Sequence, residues 1–91
     1  MSNASENILE VIPEISAYPN PATNYLTAKF SGYDGNLTVQ VFDLFGKLIF
    51  RATVNSEDLF RLDVRQLSSG AYFLYATDDQ GHTASLKWVK E

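Results

Sequence analysis

Along most of this chain apolar and polar side chains alternate in short runs with a period of two. Phe60-Arg61-Leu62-Asp63-Val64-Arg65 sets Phe60, Leu62 and Val64 on one side and three charges on the other, the pattern of a half-buried strand. Leu37 to Asp43 repeats it, with Leu37, Val39 and Val41 facing one way and Thr38 and Gln40 the other. Lys47 to Val54, "KLIFRATV", is equally strand-like but apolar on both faces, so the pattern leaves its inward face open. Tyr25–Phe30, Ala71–Thr77 and Thr83–Lys90 complete the set. A further run near the start, "ILEVIPEI", contains Pro13. Proline has no N–H to give to a ladder, which suits an edge strand better than a central one.

Turn chemistry separates these runs. "GYDGN" (Gly32–Asn36), "DLFGK" (Asp43–Lys47) and "DDQGH" (Asp78–His82) each place a glycine where the chain must reverse. "RQLSSG" (Arg65–Gly70) predicts a polar bend with Leu67 turned inward. No window carries a helical stripe. The expectation is an all-β fold, an immunoglobulin-like antiparallel β-sandwich of about seven short strands. With no cysteine in the chain, the disulfide-and-tryptophan core of antibody domains is excluded.

Composition narrows the function more than the fold. Ninety-one residues, 45% of them hydrophobic, suit one domain with one core. Seven basic against 11 acidic side chains leave a net charge of −4, which offers no basic face for phosphates, so no nucleic-acid partner is expected. No apolar run is long enough to span a membrane as a helix. The opening "MSNA" reads as a cloning remainder.

Candidate chemistry is sparse. His82 is the only histidine and stands beside a turn glycine, so an exposed turn residue is a better reading than a metal ligand. Asp78, Asp79 and Gly81 resemble part of a calcium loop without the remaining oxygen ligands. Ser68-Ser69-Gly70 lacks a nucleophile-elbow pattern. Acid pairs such as Glu57 and Asp58 fit solvated strand ends. The expectation is no enzyme, no catalytic residue, no metal and no cofactor.

Two features remain. In Ala71–Ala76, alternation sends Tyr72 and Leu74 one way and Phe73 and Tyr75 the other. Phe73 and Tyr75, with Phe42, either form an exposed strip for a sugar or protein, or lie under a neighbouring layer. At the end of the chain, "SLKWVKE" is an unbroken strand pattern with Leu86 and Trp88 on one face and Lys87 and Val89 on the other. Spacing alone favours Lys87 and Lys90 as charges that blunt a sheet edge; the alternative sets them where a partner can read them.

Four stretches then fall in a recognisable order: "YPNPATNYL" (Tyr18–Leu26), "VQVFDLFGKLI" (Val39–Ile49), "LDVRQLSSGAYFL" (Leu62–Leu74) and "DDQGHTASLKWVK" (Asp78–Lys90). Together they resemble the C-terminal sorting domain of the type IX secretion system of Bacteroidetes-type bacteria. That resemblance implies a secretion signal that directs an upstream cargo across the outer membrane. It implies export through the periplasm to the cell surface or medium, partnership with the outer-membrane secretion machinery, and removal by a sortase-like protease. Recognition by that machinery would fall on Gly81, Leu86, Lys87, Val89 and Lys90. Pro19, Asn20, Pro21, Asp43, Gly46, Lys47, Leu62, Leu67, Gly70 and Tyr72 would be scaffold. Residues 1–7 are expected to be a cloning remainder or linker, 8–17 a linker or first edge strand, and 18–91 the sorting domain. The competing reading is a carbohydrate-binding or fibronectin-like accessory module that uses the aromatic strip.

Overall fold

The structure, a computed structural model, describes residues 12–91. The segment expected to be a cloning remainder or linker, 1–7, and the first four residues of the 8–17 segment lie outside the described residues. Seven strands follow in order: β1 (Glu14–Tyr18), β2 (Tyr25–Ser31), β3 (Asn36–Asp43), β4 (Leu48–Asn55), β5 (Phe60–Asp63), β6 (Gly70–Thr77) and β7 (Thr83–Lys90). They form two antiparallel sheets, a three-stranded one ordered β1-β2-β5 and a four-stranded one ordered β4-β3-β6-β7. β1 begins just after Pro13 and lies at an edge.

Alternation builds the core between the sheets. The small sheet contributes Leu26, Ala28, Phe30 and Leu62, joined by Val64 just beyond β5; the large one contributes Leu37, Val39, Val41, Tyr72, Leu74, Ala76 and Trp88. Phe50 and Phe60 meet from opposite sheets with ring centroids 5.8 Å apart. Leu67, on the bend before β6, packs half-buried against this core.

The ambiguous faces of "KLIFRATV" have a local cause. Val41 pairs with Phe50 and Phe42 with Leu48, so the ladder skips Ile49. This bulge turns Ile49 and Phe50 both towards the core, where strict alternation would have separated them.

The turns at Asp43–Lys47 and Asp78–His82 are one device used twice. In each, the first aspartate N–H donates to the carbonyl of the fifth residue, and the glycine N–H donates back to the aspartate carbonyl. In each, the aspartate Oδ1 accepts the N–H groups of the third and fifth residues: Phe45 and Lys47 at 2.9 Å, Gln80 and His82 at 3.0 and 2.8 Å. Gly46 and Gly81 take φ of 86° and 90°, a region costly for other residues, as three-residue hairpin loops require. At the second turn His82 Nδ1 also lies 2.8 Å from Asp78 Oδ2. Desolvation alone would raise the Asp78 carboxyl, but the bonds from His82 and Gln80 outweigh it and hold it below its ordinary value.

The outer face of the small sheet carries an arginine–tyrosine cluster. The Arg61 guanidinium sits 3.8 Å over the Tyr25 ring and Arg65 5.3 Å from it. Arg65 also grips Asp63 with two side-chain bonds, 3.0 Å from Nε and 2.7 Å from Nη2. These bonds, with the Arg65 backbone N–H, lower the Asp63 pKa from 3.8 to about 2. A depressed carboxyl stabilises the fold above its unfolded pKa and loses that contribution as pH falls through the folded value. Thermal melts of the parent and Asp63→Asn should therefore differ most above pH 3.8 and converge as pH falls towards about 2. A difference unchanged down to pH 2 would refute this linkage.

Candidate functional site: the last strand and its clasp

β7 pairs along its whole length with β6 and is the outer strand of the large sheet. Its inward row is Leu86, opposite Leu74; Trp88, opposite Tyr72; and Lys90, opposite Gly70. Trp88 is fully buried and stacks on Tyr72 with centroids 5.0 Å apart. The Tyr72 hydroxyl donates to the Ser68 carbonyl at 2.6 Å, which fixes the ring from the bend side. The indole Nε1 has no hydrogen-bond partner among the described residues.

The free edge of β7 is closed at its far end by Asn20, between the prolines, and Ala22, just after them. Asn20 Oδ1 accepts the Val89 N–H at 3.0 Å. The Ala22 N–H donates to the Val89 carbonyl at 2.8 Å, and the Glu91 N–H donates to the Ala22 carbonyl at 2.9 Å. Ala22 is fully buried and bridges Lys90 in parallel. Pro19 and Pro21, expected as scaffold, follow cis peptide bonds in a bent segment. The segment's main-chain and side-chain bonds go to Val89 and Glu91 at the end of the chain, and the sequence pattern did not signal that contact.

The five residues expected to be recognised lie along the whole hairpin and not at one spot. Gly81 sits in the turn, and Leu86 is half-buried on the inward row. Lys87 and Val89 face outward; Val89 is 39% exposed. Lys87 forms no ion pair among the described residues. Lys90 departs from the expectation of a readable surface charge, being only 9% exposed. Alternation from Trp88 turns it inward, and Ala22 bridges its backbone. Its Nζ donates to the Glu91 carbonyl at 3.2 Å.

The scaffold residues divide by place. Asp43, Gly46 and Lys47 form the first turn, Leu62 and Tyr72 are buried, and Gly70 opens β6. On the outer face of the large sheet Phe42, Phe73 and Tyr75 are half-buried. Phe42 and Tyr75 meet edge to face at 87°, 5.5 Å apart. With Gln40, Leu44 and Thr77 they line a shallow groove of about 510 Å³, so no layer among the described residues seals this face. Among the described residues no three of His, Cys, Asp and Glu stand together as a metal set, and no helix is long and apolar enough to cross a membrane.

An antiparallel two-sheet fold of this topology, carrying its accessible features on a closing strand, defines an immunoglobulin-like β-sandwich. The same fold is found in a DUF3244 family protein from Bacteroides vulgatus ATCC 8482, with a TM-score of 0.70 at 16% sequence identity over 85% of this chain and 83% of that one. No curated protein matches. The chain belongs to the family of secretion system C-terminal sorting domains, whose model matches residues 16–91, from inside β1 through the clasp and β7. It is thus a type IX C-terminal sorting signal, a class that works with the secretion machinery in export across the outer membrane to the cell surface.

Proposed function

We propose that this chain is a non-catalytic export label for a cargo joined upstream, and that the outer-membrane machinery reads the outward row of β7. The observation that carries the proposal is the family match to residues 16–91 together with the clasp that holds β7 in one shape. Lys87 and Val89 are the residues a partner reaches first. Gly81, Leu86 and Lys90 act by setting the path and pitch of the strand. The cargo crosses the periplasm in transit, and a sortase-like protease removes the label. The accessory-module reading has less support, because Phe42 and Tyr75 stand at 87° and offer no shared flat platform to a sugar ring.

Fusing residues 12–91 behind a periplasmic reporter in a type IX-competent bacterium should carry the reporter to the surface or medium. An intact, folded fusion that stays in the periplasm would overturn the reading.

A further inference from the structure

The two matching turns provide an internal control. Both need aspartate first and glycine fourth, since those residues make the bonds and take the positive φ. The second and third positions are free: one turn carries Asp79-Gln80 and the other Leu44-Phe45. Leu44 is 59% exposed and Phe45 92%. Turn geometry therefore does not account for two apolar side chains in water at this tip.

Its location narrows what they meet. The chain enters at the opposite pole, where Glu14 pairs with Ser31, and the polar turn Asp78–His82 closes β6 and β7. The Leu44-Phe45 tip shares its pole with the clasp. Asp43 pairs with Tyr72, Gly70 with Lys90, and the Gln66–Tyr72 bend lines a common hollow with Leu44 and Phe45. Leu44 also lines the groove with Phe42 and Phe73, and Phe42, Phe73 and Lys87 form one row across three strands. An apolar strip thus runs from the tip to the outward row of β7.

We propose that Leu44-Phe45 is a second docking point, an apolar plug that enters a hydrophobic cleft on the same outer-membrane protein that reads β7. The inference rests on the export reading and adds a partner site to it. A bilayer is a poor occupant, because peripheral binding by a short apolar tip needs a basic cluster beside it; Lys47 is the one cation in the turn, and the net charge is −4. A second copy is also a poor occupant. The outer sheet face offers roughly 500 Å² per copy, at the low end for a stable interface.

The decisive variant places the other turn's tip here: Leu44→Asp with Phe45→Gln in the full reporter fusion. The melting temperature should match the parent, since the same turn already tolerates those residues, and export should fall at least about tenfold, as for loss of one interface anchor. A benzophenone side chain at position 45 of the otherwise native fusion should crosslink to an identified outer-membrane export protein. If the swapped tip is exported like the parent while Lys87→Glu with Val89→Glu is blocked, the plug is refuted and the export reading stands. If the parent fusion itself stays in the periplasm, the export reading fails first. Crosslinking at position 45 only to a second copy or only to lipid also refutes the plug, and it decides the matter even if the swapped tip fails to fold.

Discussion

Replacing Trp88 with alanine should remove a large share of the domain's stability. Trp88 is fully buried, stacks on Tyr72 and stands on the strand that the clasp holds. Removing a buried aromatic of this size costs about 3–5 kcal/mol, against a total stability for such a domain of about 5–15 kcal/mol. At about 4–8 °C per kcal/mol for a domain of this length, the melting temperature should fall by at least about 12 °C. Trp88→Phe should lose far less. It keeps a ring on Tyr72 and removes an indole N–H that has no partner among the described residues, and deleting an unsatisfied buried donor offsets part of the lost contact area. Denaturant melts of both variants provide the check; equal losses would mean that the stack contributes little.

The second large effect separates recognition from folding. Lys87→Glu with Val89→Glu changes the outward row alone, since both side chains leave the core side of β7. Exposed substitutions away from packed features stay within about 0.5 kcal/mol each, so melting should move by only a few degrees. Export of the reporter fusion should nevertheless fall by at least about tenfold. Unchanged export would remove the outward row from the recognition surface. Deleting Lys87–Glu91 is a poorer test, because it takes Trp88 and three of the clasp's backbone groups with it.

The fold was legible wherever alternation was clean. Leu37, Val39 and Val41 are all buried, as are Tyr72 and Leu74 opposite the half-buried Phe73 and Tyr75. β4 was not, because a bulge changes the parity of a strand at one residue and a pattern of period two cannot show where. Lys90 was misplaced for a different reason. Its parity with Trp88 pointed inward, but the general preference of lysine for water outweighed that signal. The clasp was illegible because it is made of main-chain groups and one amide oxygen. Such bonds leave no trace in hydrophobic spacing, and they join residues 69 apart. Asn20 between two prolines was visible as a motif, while its partner on β7 was not. Likewise the tip residues Leu44 and Phe45 passed as turn composition until the polar twin at Asp79-Gln80 showed that the turn does not require them.

The clasp sets an order on folding. A ribosome delivers residue 20 long before residue 89, so the Asn20–Val89 bond can form only after β7 has emerged and reached β6. Contacts of such long sequence separation close late in folding. A nascent or truncated chain lacking β7 leaves Asn20 and Ala22 with no strand to hold. A clasped β7 therefore requires both residues 20–22 and residues 89–91 to be present and in place. The last strand to leave the ribosome is thus fastened to a segment made 69 residues earlier.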